Sequence, residues 1–236
     1  RLTADTAKEL GCGIHIHLAE TQQEVKDCVA KNGMTPIQFV DSLGILDAGC
    51  LVAHGVWATE EEISLLAAKK ARVAHNPQSN LKLASGIAPV EKMRQKGVVV
   101  GLGTDGATSN NNLDMLEETR LTAMLHKTVA YDPLAIPAAA AWDMATYQGA
   151  RCIGYENLGK LEEGFLADIV LYDMNKPYWH PRHDRLSLLV YAANAGDADT
   201  AIINGKVVME KKEVKTLDAE KIYAEADAIA RRLTGK

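Results

Sequence analysis

No apolar run in the 236-residue chain approaches the roughly 20 residues that a membrane-spanning helix needs. An excess of positive charge is also missing: 26 Lys and Arg face 31 Asp and Glu, for a net charge of −5. A nucleic-acid surface usually needs a basic patch, so neither membrane nor nucleic acid is expected as a partner. The four cysteines, Cys12, Cys28, Cys50 and Cys152, form no CxxC pair. That argues against a zinc knuckle or a thioredoxin motif and suits buried, reduced thiols in a cytoplasmic protein. There is no internal repeat and no low-complexity segment.

What the chain does have is four short apolar runs, each leading into a polar, reactive cluster. They are Gly13 to Glu20 (GIHIHLAE), Cys50 to His54 (CLVAH), Ala71 to Asn76 (ARVAHN) and Val98 to Asp105 (VVVGLGTD). Each has strand length, and helical pattern separates one from the next, which predicts parallel βαβ units. In a parallel α/β barrel all C-terminal strand ends open on one mouth, where chemistry is done. Residue 1 is Arg rather than Met, and four strand–helix units are half of a closed barrel's eight. A fragment is therefore the expectation. Further helices are expected at Thr21 to Lys31, Thr35 to Leu43, Thr59 to Lys70, Pro89 to Lys96, Leu113 to Lys127 and Ala135 to Tyr147. Loops are expected at Asn76 to Ala88 and Gly106 to Asn112. Near Asn157 the character changes, which places a boundary around 150–160. Leu158 to Asp173 alternates as strands do, Asn204-Gly205 between apolar runs signals a type I′ hairpin, and Asp218 to Leu233 reads as a terminal amphipathic helix.

The strand ends carry the candidate chemistry. Residues two apart on a strand share a face, so His15 and His17 point into a barrel together, with His17 nearer the mouth. Neutral imidazole is a common zinc ligand, whereas His15, one layer deeper, fits packing or support of the site. Glu20 lies just past the strand, placed to relay protons. His54 precedes Gly55, which leaves its ring open either to ligate or to hydrogen-bond a bound water. His75 is either pocket lining or core. Asp105 follows a buried strand, where an unpaired carboxylate is costly unless a metal or partner receives it. Gly101-Leu102-Gly103-Thr104-Asp105-Gly106 leads into no immediate helix, which argues against a dinucleotide loop. His180, His183 and Asp184 flank Pro181, and a surface loop is a simpler reading there than a second metal site. Two metal ligands, His17 and Asp105, are thus expected, fewer than the three protein ligands a catalytic zinc usually has.

The runs His15-x-His17-x-x-Glu20, His54-Gly55, His75-Asn76-Pro77-x-Ser79-Asn80 and Gly103-Thr104-Asp105-Gly106, with Ser109 to Met115 and the tail segment Gly159 to Val170, resemble the amidohydrolase superfamily. Within it they are most similar to the 5′-methylthioadenosine/S-adenosylhomocysteine deaminases. The resemblance implies an α/β fold: the second half of a metal-dependent (β/α)8 TIM-type barrel, strands 5 to 8, over residues 1–155. The C-terminal part of a small β-sandwich would follow over residues 156–236. It implies one divalent metal, Zn²⁺ or Fe²⁺, held by His17 and Asp105. Glu20, His54 and Asp105 would be catalytic, and Glu20, His54 and Asn80 would contact substrate. The family's other ligands, a His-x-His pair on the first strand, have no counterpart here. The implied reaction is hydrolytic deamination of an adenosine-type nucleoside by a homo-oligomer. A triazine or guanine hydrolase, or a non-catalytic barrel with a decayed metal site, are the alternatives.

Overall fold

A computed structural model describes residues 1–235. The four apolar runs form strands β1 (Ile14–Leu18), β2 (Cys50–His54), β3 (Arg72–His75) and β4 (Val99–Leu102). They make one parallel sheet in the order β1-β2-β3-β4. The register pairs Leu18 with His54 and His75 with Leu102, so the C-terminal ends lie side by side. Every residue of β2 is buried, as expected for a central parallel strand covered on both faces.

The connecting helices are α1 (Leu2–Leu10), α2 (Gln22–Asn32), α3 (Pro36–Ser42), α4 (Glu60–Ala68), α5 (Pro77–Lys82), α6 (Val90–Gln95) and α7 (Ala107–Asn110). Their starts are written in the sequence. Thr35 with Gln38, and Thr59 with Glu62, form capping boxes that satisfy otherwise orphaned backbone donors. Ile37, Ile63, Leu66 and Met93 from these helices share one buried core cluster with Val52 and Val73. Each such side chain, fully buried, contributes roughly 1.5–3 kcal/mol. Two expected loops contain helices instead: α5 lies within Asn76 to Ala88, and α7 within Gly106 to Asn112. Both are helices of six residues or fewer, too short for an apolar period to reveal.

Helices α8 (Met115–Ala130), α9 (Ala138–Ala145) and α10 (Tyr147–Cys152) follow. Asp114 caps α8 by accepting from the Leu116 and Glu117 N–H groups. Its other oxygen accepts from Ala195 N–H at 3.2 Å, tying the barrel side to the C-terminal region. That region is a second, antiparallel sheet: β5 (Ile169–Tyr172), β6 (Ala198–Ile203), β7 (Lys206–Glu210) and β8 (Glu213–Val214), in that order. Of the alternating stretch 158–173 only β5 is a strand, because only it finds a partner, in β6. The β6–β7 turn has positive φ at both Asn204 (48°) and Gly205 (74°), as a type I′ turn requires. Helix α11 (Arg185–Tyr191) precedes this hairpin, and α12 (Ala219–Thr234) ends the described chain, capped by Asp218. Among the described residues this C-terminal region holds one sheet rather than two packed faces.

Candidate metal centre

The strand ends bring the expected residues together. His15 and His17 share one face of β1, with rings stacked at 6.3 Å, and the His17 ring lies 5.2 Å from that of His54. Because β1 is an edge strand, the His17 side chain is 63% exposed, whereas His54 on β2 is fully buried. Beyond β1 the chain turns at Ala19 (φ 50°), and the Glu24 carboxylate accepts from the Ala19 and Glu20 N–H groups at 2.9 and 2.7 Å. Thr21 caps α2 by accepting from Glu24 N–H. The reciprocal contact of a Thr-x-x-Glu capping box is thus diverted: Glu24 anchors the turn that presents Glu20. His54 (φ 72°) and Asp105 (φ 60°) are also left-handed. That conformation costs a non-glycine residue on the order of 1–3 kcal/mol, and such strain concentrates at functional sites.

His17 Nε2 lies 3.9 Å from Asp105 Oδ1, and His54 Nε2 lies 3.7 Å from Glu20 Oε2. One ligand atom from each of His17, His54 and Asp105 falls within 4.8 Å of the others. His54 Nδ1 sits 2.8 Å from Asn80 Oδ1. An amide oxygen accepts, so Nδ1 carries the proton and Nε2 keeps its lone pair. That Nε2 is buried and has no hydrogen-bond partner, a costly arrangement unless something electron-poor meets it. Asp105 Oδ2 receives hydroxyl donations from Ser79 and Ser109, both at 2.7 Å. Burial pushes the Asp105 carboxyl up, but the two hydroxyls, the Gly106 N–H and His54 outweigh it and hold it at about 2. Its other oxygen is thereby an ionised acceptor turned toward His17. Two imidazole nitrogens and one carboxylate oxygen are a donor set that suits zinc. Glu20 Oε1 accepts from the Ser85 hydroxyl at 3.3 Å.

Other expected residues fall elsewhere. His15 is exposed beside His17; partial burial, and then the neighbouring His17 and His54 rings, lower its pKa. Asn80 is 1% exposed and reaches the His54 ring. His75 is core: its Nε2 faces His126 Nε2 at 3.2 Å, and burial holds it well below the usual histidine range. The Gly101-x-Gly103 pair serves packing. A Cβ on Gly101 would stand 2.8 Å from Gly149 Cα, and one on Gly103 would stand 2.6 Å from Asn76 Oδ1. His180 and His183 are exposed, and Asp184 caps α11. Among the described residues His17, His54 and Asp105 are the one group of three metal-type ligands within reach of each other.

Ser79, Ser109 and Glu118 escaped the sequence reading. Ser79 lies inside the Asn76-Pro77-x-Ser79-Asn80 run, so a polar residue in a motif was its only signal. Glu118, Thr122 and His126 recur every four residues on α8 and are all buried. A polar stripe on a sheet-facing helix was a legible sign of an internal network.

Residues 2–208 match the model of the amidohydrolase family. The chain belongs to that family. A 5-methylthioadenosine/S-adenosylhomocysteine deaminase of Dictyoglomus thermophilum is 53% identical over 232 residues, covering 98% of this chain and 54% of the relative. One from Moorella thermoacetica is 55% identical over 223 residues, covering 94% of this chain and 52% of the relative. This amidohydrolase chain spans about half the length of the curated relatives it matches. Among solved structures, a zinc-bound adenosine deaminase from Xanthomonas campestris superposes with a TM-score of 0.94 at 38% identity, over 98% of this chain and 53% of that one. An atrazine chlorohydrolase from Arthrobacter aurescens, complexed with zinc, gives 0.87 at 31% identity, over 95% and 50%. These likenesses carry the barrel-type amidohydrolase fold over the parallel sheet and its helices.

Proposed function

We propose that this amidohydrolase chain contributes to hydrolytic deamination of an adenosine-type nucleoside, of the 5′-methylthioadenosine/S-adenosylhomocysteine class. The observation that carries the reading is the convergence of His17, His54 and Asp105 within 4.8 Å, with Glu20 alongside. Deaminase relatives at 53% and 55% identity support the nucleoside substrate over a triazine, for which the solved relative is 31% identical. On this reading residues 1–155 are strands 5 to 8 of the barrel, and residues 156–236 belong to a smaller β-domain. The four unpaired thiols fit a reducing, cytoplasmic setting.

His17 Nε2 and Asp105 Oδ1 would hold one divalent metal, zinc by analogy with the two solved relatives. When bound, the metal supplies Lewis acidity that makes water nucleophilic at neutral pH. His54 Nε2, with its lone pair aimed at the same point, accepts the proton of the attacking water, and Asp105 helps hold it. Glu20 donates a proton to the ring nitrogen next to C6 of the adenine and so draws electrons away from the carbon under attack. Collapse of the tetrahedral substrate passes the proton held at His54 to the leaving amino group and the C6 hydroxyl proton back to Glu20, which expels ammonia and leaves the inosine analogue. Asn80 fixes the His54 tautomer, and Ser79 and Ser109 keep Asp105 ionised. On this reading a complete ligand set also takes the family's first-strand His-x-His pair, which has no counterpart among these residues.

The test is ammonia release by the complete protein as its organism makes it, loaded with zinc. It is offered 5′-methylthioadenosine, S-adenosylhomocysteine and adenosine, beside guanine and an amino-triazine. Release from the nucleosides is expected. Release from guanine or the triazine alone overturns the substrate class, and absence of bound zinc overturns the metal site.

A further inference from the structure

Behind the candidate metal centre lies a buried carboxylate that touches none of its ligands. Glu118 on α8 is fully buried. Its Oε2 accepts from the Gln78 backbone N–H at 3.1 Å, and its Oε1 from the Asn110 side-chain amide at 2.5 Å. Gln78 closes the square by donating its own side-chain amide to the Asn110 carbonyl at 2.9 Å. Asn110 Oδ1 meanwhile accepts from Leu113 N–H at 2.7 Å, so the Asn110 amide cannot turn over without losing that bond.

The two residues Glu118 grips are the chain neighbours of the two serines on Asp105. Gln78 precedes Ser79 on α5, and Asn110 follows Ser109 on α7. Both serine hydroxyls point at the same oxygen, Asp105 Oδ2. We propose that Glu118 is a positioning residue: it clamps two short helices, and so aims Ser79 and Ser109 at Asp105 and leaves Oδ1 for the metal. Neither α5 nor α7 is long enough to be stable by itself, so contacts outside each helix fix their placement: Lys82 Nζ donates to the Thr108 carbonyl at 2.8 Å, and Glu118 holds the residues next to both serines. Two donors converge from opposite sides, and both acceptor oxygens are needed. A carboxylate provides two and an amide only one. The inference rests on the metal-site reading of Asp105 for its consequence, but the clamp itself is open to test without it.

The experiment compares Glu118→Gln with the double variant Glu118→Gln/Asn110→Asp. The single change leaves one donor facing another. The double change reverses the polarity of the 118–110 contact: the new amide donates to the new carboxylate, its oxygen still accepts from Gln78 N–H, and the second oxygen at 110 still accepts from Leu113 N–H. Zinc affinity, measured by titration with zinc alone, should fall about 10- to 100-fold in Glu118→Gln and recover most of that loss in the double variant. Crystal structures should show the Ser79–Asp105 and Ser109–Asp105 contacts lengthened beyond 3.5 Å in the single variant and restored in the double. Unchanged contacts and affinity in Glu118→Gln, or a double variant no better than the single, would overturn the clamp. Should the parent bind no zinc, the metal reading fails by itself, and the two crystallographic distances still decide whether Glu118 aims the serines. Should Glu118→Gln not fold, a folded double variant with both serine contacts in place supports the clamp, and an unfolded one overturns the polarity argument.

Discussion

His54 and Asn80 lie 2.8 Å apart, and that contact decides which imidazole nitrogen is protonated. The buried amide oxygen takes Nδ1–H, and Nε2 faces the Glu20 carboxylate 3.7 Å away and the candidate metal position. A histidine free to choose its tautomer would present a proton there part of the time and lose its function as an acceptor.

Asn80→Ala removes the oxygen and leaves Nδ1–H buried and unpaired, at a cost of about 1–3 kcal/mol in stability. Turnover should fall about 10- to 100-fold. Asn80→Asp keeps an acceptor at the same place and should retain most of the activity. Ammonia assays of both variants check this, and equal turnover in the parent and Asn80→Ala would remove the tautomer argument.

Glu20 touches the site through His54 and Ser85 but is not one of the three clustered residues. Glu20→Gln should therefore lower turnover on the order of 10² to 10⁴ while zinc stoichiometry stays at the parental value. Elemental analysis beside an ammonia assay separates the two effects. A loss of zinc in this variant would make Glu20 a ligand instead of a proton carrier.

The Asp105 carboxyl, held at about 2 against an ordinary 3.8, predicts an acid-dependent contribution to folding. A depressed carboxyl stabilises the native state above its unfolded value and loses that contribution as pH falls from about 4 through about 2. Ser79→Ala combined with Ser109→Ala removes two of the interactions that depress it. The zinc-free double variant should be less stable than the zinc-free parent at pH 7, by roughly 1–2 kcal/mol. The gap should close toward pH 2. Urea midpoints at both pH values measure it, and a gap independent of pH would assign the serines to packing alone.

Strand composition made β1 to β4 readable, because a buried parallel strand must be an apolar run and its polar end must be where the sheet stops. His17, Glu20, His54 and Asp105 were legible for the same reason: each closes such a run or follows it directly. The helices α5 and α7 were hidden, since Pro77, Asn80, Ser109 and Asn110 read locally as loop and their helical turns are fixed by Glu118, distant in the chain. Ser79 and Ser109 matter through the direction of a hydroxyl, which spacing does not encode. Leu158 to Asp173 shows the opposite failure. Its alternation satisfies a strand pattern throughout, yet only Ile169–Tyr172 meets a neighbouring strand.

The buried pair His75 and His126 sets a second pH dependence, of a different origin. Both rings are held below the ordinary 6.5 by burial, and His126 is brought to about 4. Their facing nitrogens, 3.2 Å apart, can share one proton but have no room for two. The native state thus keeps His126 neutral, while the unfolded chain binds a proton below pH 6.5. Stability is present in full above that value and declines as pH falls toward about 4. For His126 alone the loss is roughly 3 kcal/mol across that window. His126→Leu removes this titration and leaves His75 without its partner. The variant should start less stable at pH 7 and lose less than the parent on going to pH 4.5. Urea denaturation of the zinc-free proteins at the two pH values gives both differences. Parallel losses in parent and variant would show that His126 does not carry the acid sensitivity.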